Sequence, residues 1–257
     1  MLNPPASLAT LAAFQRFLGL PNDSPSDEAV RQWAALGAAS ALLELATRRR
    51  LLPLRARLAH RVPRSDRSEL LLRADLLELY SLSDGDGQLI PLGSVVMICE
   101  GVLHRLDGVF WDGDSGVQVD GLWGWHPLPE QAWQIRDSLQ ASLSAGAELA
   151  QVADADAPQA DGLARFQVGQ LLRLDDELAW VLAVDATQNR LRLLRSARGT
   201  TAQAHASGAP LAVYQPPADL HLACLRLAAW CYRQPDQSAW EAAPLGDDLV
   251  RYVRLSV

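Results

Sequence analysis

The chain has 257 residues, an apolar fraction of 49% and a formal net charge of −7. That length suits one large domain or two small ones, and the acidic balance excludes a protein that wraps nucleic acid by neutralising its phosphates. No apolar run reaches the roughly 18 residues of a bilayer span, and Met1 to Leu20 lacks the basic start and continuous apolar core of a signal peptide.

In chain order, Leu8 to Leu18 reads as a short helix, with Leu8, Leu11, Ala12, Phe14 and Leu18 on one face and Gly19 as its stop. Ser24-Pro25-Ser26-Asp27 resembles a capping box. It opens a long helix to about Arg48, whose expected seam is Val30, Trp33, Ala34, Gly37, Ala41 and Leu45. Arg48-Arg49-Arg50 in the last turn favours the helix dipole and reads as a solvated end.

From Leu54 to Trp125 the pattern is β. Strands are expected at Leu54–Val62, Glu69–Leu72, Leu76–Leu82, Val95–Cys99, Val102–Leu106 and Val117–Val119, with Asp/Gly turns between them. Trp123 and Trp125 near its end either plug the base of this β unit or dock a partner ring. Pro129 to Leu143 reads as a helix, and Ala153 to Gly162 as a loop or linker.

A second β unit follows, with strands at Leu171–Leu174, Trp180–Val184, Leu191–Leu194 and Leu211–Tyr214. Pro216-Pro217 ends it and starts a helix. Leu220, Cys224, Leu227 and Cys231 share one helical face. The opposite face mixes Asp219, Arg226 and Arg233 with Leu222, Leu225 and Ala229. So narrow a polar stripe means the helix is covered on several sides, by this chain or by another subunit. Cys99, Cys224 and Cys231 read as small core residues in a reducing compartment, and the last two, seven residues apart on one helix, are out of disulfide reach. Leu249 to Val257 alternates like a strand that pairs with something else.

Motifs for chemistry are few. Gly113-Asp114-Ser115-Gly116 resembles the nucleophile loop of trypsin-like proteases, but the upstream histidines, His60 and His104, lack the surroundings of a triad base. Loops starting at Asp84 and Asp112 fail the EF-hand pattern at both the glycine and the glutamate positions. The histidines show no metal-protease spacing, and there is no CxxC, P-loop or dinucleotide fingerprint. Asp175-Asp176-Glu177 reads as a solvated acidic turn, and His205 as a residue holding its Gly/Thr/Ser loop by hydrogen bonds. No catalytic, cofactor-binding or metal-binding residue is therefore expected, and no enzyme activity.

Three ordered stretches carry a family resemblance. Val168-Gly169, Leu172-Arg173-Leu174-Asp175 and Glu177 match a VGxxLRIDxE segment. Gly199-Thr200-Thr201-Ala202, Ala204-His205 and Gly208 match a following RGxxGTTAxAHxxGT segment, although Ser196-Ala197-Arg198 replaces its usual Gly-rich turn. Phe17-Leu18-Gly19-Leu20, Asp27-Glu28 and Thr47-Arg48 match the opening helices. Gly121-Leu122-Trp123-Gly124-Trp125-His126 matches a G-x-WGY-H strand end, with Trp125 in place of tyrosine. In these features the chain resembles the head-to-tail connector (head-completion, adaptor) proteins of tailed phages.

The resemblance implies an α+β fold, in which a helical connector body of two N-terminal helices and one C-terminal helix carries inserted antiparallel β segments. Its parts would be residues 1–52, the N-terminal helices; 53–137, the first β insertion; 138–215, the second β unit; and 216–257, the last helix with a docking tail. It implies a structural protein of the virion neck, assembled in the host cytoplasm as a homo-oligomeric, dodecameric ring. The ring would bind the portal protein, extend the DNA channel and carry the next neck or tail-completion protein. DNA would pass without specific binding, no membrane would be involved, and the negative charge suits that passage. Leu249, Val250, Tyr252, Val253 and Leu255 are the expected portal-docking residues. Trp123, Trp125, Leu222, Leu225 and Arg226 are the expected contacts to neighbouring subunits or to the neck. The alternative is a β-rich module binding carbohydrate or a host surface on a helical base, with Trp111, Trp123 and Trp125 as its platform.

Overall fold

The computed structural model describes residues 6–21, 26–62, 67–111, 116–159 and 162–233. The chain divides into two compact units, Met1–Arg48 with Pro127–Val257, and Arg49–His126. No helix among the described residues is long and apolar enough to cross a membrane.

The first unit holds three helices, α1 (Leu11–Leu18), α2 (Ser26–Thr47) and α3 (Ala218–Arg233). At the start of α1 the Thr10 hydroxyl accepts from the Ala13 amide at 3.2 Å. Gly19, with φ of 70°, ends it, and the Gly19 and Leu20 amides donate back to the Arg16 and Gln15 carbonyls. The three helices pack together. Phe14 meets Tyr232 edge-on with ring centroids 6.0 Å apart, and Ser40 Oγ lies 3.3 Å from Cys224 Sγ. Burial pushes the Cys224 thiol up to about 11, against the hydrogen bonds from Ser40 and Ser7, so it stays a neutral core group.

Helix α2 buries a different face from the expected one. Trp33, Leu36, Ala39 and Leu43 point inward, while Ala34, Ala41 and Leu45 are exposed, Leu45 at 65%. This helix is apolar almost all round, so its periodicity does not select a face. Tertiary packing makes the choice. On α3 the expected face is the buried one, with Leu220, Cys224 and Leu227 inside.

The same unit contains a six-stranded antiparallel sheet. Its strands are β8 (Trp133–Ser138), β9 (Leu149–Gln151), β10 (Leu171–Leu174), β11 (Glu177–Asp185), β12 (Arg190–Leu194) and β13 (Pro210–Tyr214), in the order β8-β13-β10-β11-β12-β9. The Gln140 amide donates to the Gln151 carbonyl at 2.9 Å, so the two edges meet at one end and the sheet rolls up. Phe166, Leu172, Leu174, Val181, Leu191 and Leu211 fill its interior. Between β11 and β12, Asp185 Oδ1 accepts from the Thr187 and Gln188 amides, and Asn189 takes a left-handed φ of 51°.

The expected helix at Pro129–Leu143 does not form. A single 3-10 turn at Pro129–Gln131 is followed by β8, which pairs with β13 from Tyr214↔Trp133 to Pro210↔Ser138. A proline suits the first position of such a turn. Beyond it, the available ladder on β13 outweighs local preference.

The second unit is all β. One sheet has the order β1-β7-β3-β4, from β1 (Leu54–His60), β7 (Val117–Trp123), β3 (Leu76–Ser83) and β4 (Leu89–Ile90). The other has the order β2-β6-β5, from β2 (Glu69–Leu71), β6 (Val102–Arg105) and β5 (Val95–Cys99). Val62, Leu70, Leu103, Trp111, Val117 and Trp123 are in its core. Arg55 clamps Asp120 through two hydrogen bonds of 2.9 Å, and its guanidinium lies 3.7 Å from the centroid of the Tyr80 ring.

The fold class expected from the resemblance is thus overturned. Three antiparallel sheets of four, three and six strands account for most of the described architecture, against three helices. This is a mostly β protein, not a helical connector body with inserted strands. Three short strands explain much of the difference. β4, β8 and β9 have little apolar alternation of their own and exist because a neighbour's ladder recruits them.

Candidate functional site

A dense buried polar cluster lies at the six-stranded sheet of the first unit, where the stretches around Asp175–Glu177 and Gly199–His205 meet. Glu177 opens β11 and is fully buried, at 0% exposure. Arg195 follows β12, with only 6% of its side chain exposed. Its Nε donates to Glu177 Oε1 at 2.6 Å, and one terminal nitrogen donates to Glu177 Oε2 at 2.5 Å. That same nitrogen donates to the Gln203 carbonyl at 2.6 Å. The other donates to the Ala147 and Ser144 carbonyls at 2.9 and 3.2 Å. All five donors of the guanidinium are thereby used.

The Glu177 carboxylate is filled just as fully. Besides Arg195 it accepts from the Ser196 amide at 3.1 Å, the Gln203 amide at 3.0 Å and His205 Nε2 at 3.0 Å. The other His205 nitrogen, Nδ1, lies 2.7 Å from Asp175 Oδ2. Both ring nitrogens thus face carboxylate oxygens. The His205 backbone exchanges two hydrogen bonds with Leu143. One network therefore ties the start of β11, the end of β12, the 144–147 turn and the loop before β13.

The rest of the motif serves the same loop. Thr200 Oγ1 donates to the Ala197 carbonyl at 2.7 Å and accepts from the Leu178 amide at 3.0 Å. Ser196, Arg198 and Gly199 all have left-handed φ, at 56°, 51° and 79°. Two non-glycine residues thus hold the turn where the resembled pattern carries glycine, at some backbone cost.

Burial alone would raise the pKa of Glu177. Arg195, the Gln203 amide, His205 and the Ser196 amide outweigh it and hold the pKa down to about 2. An ordinary glutamate titrates near 4.5. The folded value is the lower one, so the stabilisation is fully present above about pH 4.5 and is lost as the pH falls toward 2. That interval corresponds to about 3 kcal/mol. Urea unfolding between pH 6 and pH 2.5 is expected to show this loss, and Glu177→Gln to flatten it. An equally steep profile in the variant would assign the acid sensitivity elsewhere.

The acidic triplet is thus not a uniformly solvated turn. Asp176 is exposed, but Glu177 is the buried centre of the network. A local sequence window shows three carboxylates beside a strand and nothing of Arg195, 18 residues on. A second such residue is Asp137, whose Oδ2 accepts from the Ala153 and Asp154 amides and from Arg165 at 3.0 to 3.2 Å. Nothing in the residues around Asp137 signals that role.

The expected contact residues are scattered. Trp123 is 1% exposed, and its indole N–H donates to the Ala56 carbonyl at 2.7 Å. Trp125 is half-buried under the Arg49 guanidinium. Leu225 is buried, whereas Leu222 and Arg226 on the same helix are exposed. Trp111, a member of the alternative sugar platform, is fully buried and donates to the Ser68 carbonyl. Two of that platform's three rings therefore offer no face to a ligand. Leu249, Val250, Tyr252, Val253 and Leu255 lie outside the described residues, as do Asp112 to Ser115 and Ser24-Pro25. Among the described residues, no three His, Cys, Asp or Glu side chains are grouped to hold a metal ion.

What the second unit does present is apolar surface. β5 ends its sheet, and four consecutive residues, Val96 to Cys99, are exposed. In the same unit, Leu89, Leu92, Leu106, Val109 and Phe110 are exposed too, Phe110 at 65%. Compared with known proteins, the chain matches no protein-family model and no curated sequence.

Proposed function

We propose that the chain is a structural subunit of a tailed-phage head-to-tail connector. It works as a homo-oligomeric ring in the virion neck, binds the portal and passes DNA toward the tail. The observation that carries this reading is the row of four exposed residues along the edge strand β5, with further exposed apolar residues elsewhere in the same unit. Exposed apolar residues along an edge strand ask for a protein cover. The exposed face of α2, with Val30, Ala34, Ala41 and Leu45, is a second such surface.

Two further features support the reading. The motif residues Asp175, Glu177 and His205 meet in one saturated network, which leaves them an architectural role. The net charge of −7 lets DNA pass without being held. The reading does not need a helical body; it needs surfaces that join copies and partners.

The test is particle mass and shape. Light scattering after gel filtration, with electron micrographs, is expected to show a ring, either for the chain alone or after mixing with its portal protein. A chain that stays monomeric and ignores the portal would overturn the proposal.

A further inference from the structure

Edge strands are templates for another strand, and native proteins shield them with charge, proline or a covering element. Along Val95-Val96-Met97-Ile98-Cys99, β5 carries no charge and no proline, and its one irregularity is a register shift between Met97 and Cys99. It pairs with β6 on one side, through Val95↔Arg105, Val96↔His104, Met97↔Leu103 and Cys99↔Val102. Four of its five residues in a row are exposed, so both of its faces are open as well as its free edge. A strand added there needs apolar side chains on both faces, which an ordinary half-buried strand lacks.

One segment of this chain has that pattern. In Leu249-Val250-Arg251-Tyr252-Val253-Arg254-Leu255-Ser256-Val257, one alternation carries Leu249, Val253, Leu255 and Val257, and the other carries Val250 and Tyr252. Each alternation has one arginine, and the nine residues contain no acid. The carboxylates beside the β5 edge are already engaged, Glu100 by Arg49 and Asp107 by Arg105, so the match rests on the apolar pattern. The fifteen residues from Gln234 to Asp248 follow α3 and span up to about 50 Å when extended, a length that lets the segment act outside its own unit.

We infer that β5 of one copy receives Leu249–Val257 of a second copy as an added strand. The inference rests on the ring reading above and names the contact that builds the ring. Donor segment and acceptor edge are different surfaces, so the contact is head-to-tail. Such a contact closes into a ring when its rotation allows, which a two-fold pairing of like edges does not. The phage resemblance assigns the same segment to the portal; the two uses make different predictions.

The experiment uses the full chain, two edge variants, Met97→Glu and Ile98→Glu, and a fluorescein-labelled peptide of residues 247–257. Both edge side chains are exposed, so each variant is expected to fold, with an unchanged circular dichroism spectrum and thermal midpoint. Three results are expected. Excess unlabelled peptide lowers the mass of the assembled chain. Each edge variant assembles at least tenfold more weakly. The labelled peptide binds a chain lacking residues 247–257 and fails to bind that chain carrying Ile98→Glu.

Peptide that binds neither form, or binds both equally, would overturn the inference. So would a chain without residues 247–257 that still forms rings. If that chain loses only portal binding, the segment belongs to the portal. In both of those cases the connector reading survives, because the ring is still seen.

Discussion

Arg195→Ala is expected to lower the unfolding free energy of the first unit by about 3–5 kcal/mol, the usual effect of removing one partner from a buried ion pair. The reason is what the substitution leaves behind. Glu177 remains fully buried with its charge no longer neutralised by the guanidinium, and the Ser144, Ala147 and Gln203 carbonyls lose the donors they share. Arg195→Lys is expected to fall between Arg195→Ala and the unchanged protein, since an ammonium keeps the charge but cannot fork onto both carboxylate oxygens. The double replacement Glu177→Gln with Arg195→Met is expected to cost less than the sum of the single changes, because it removes the orphaned charge. Urea unfolding at pH 7, followed by far-ultraviolet circular dichroism, measures each of these variants. A loss below about 1 kcal/mol for Arg195→Ala would show that water solvates the Glu177 carboxylate in the folded state.

This network also shows where sequence reading stops. Val95–Cys99 and Leu171–Leu174 are found at the residues their apolar runs indicate. Strand β7 runs past the expected Val119 to Trp123, because β1 and β3 flank it on both sides and carry it on. β9 has only three residues, and its place is set by its ladder to β12 from Gln151↔Arg190 to Leu149↔Arg192. Local pattern therefore finds strands that are apolar in themselves and misses those that exist by recruitment. The motif was legible as a string of residues, whereas its chemistry was not. Charge is visible in Asp175-Asp176-Glu177, but burial is a property of the fold, and the arginine that makes burial tolerable sits on another strand's end. The α2 face failed for a related reason. When nearly every position is apolar, the partner rather than the pattern decides which side is covered.

That partner on α2 is specific enough to yield the second large effect. Gly169→Ala is expected to destabilise the first unit by about 3 kcal/mol. Two separate costs add at this position. Gly169 has φ of 88°, a conformation that side chains disfavour by about 1–2 kcal/mol. A Cβ there would also stand 2.3 Å from Cη2 of the Trp33 ring and 3.0 Å from Cζ3. Trp33 is a core residue of α2, only 9% exposed, so the indole has little room to retreat, and overpacking of this kind costs about 1–3 kcal/mol. Gly208 is the internal control. Its φ of 87° is nearly the same, but a Cβ there meets nothing within 4 Å. Gly208→Ala is therefore expected to show the backbone cost alone. The difference between the two alanine variants, read by urea unfolding, isolates the contact between α2 and the start of β10. If the two lose the same stability, Trp33 yields freely and the helix is held to the sheet by other contacts. If Gly169→Ala loses about twice as much, the close approach of glycine and indole is what seats α2, and Trp33→Phe is expected to restore part of the loss by vacating the space the new methyl needs.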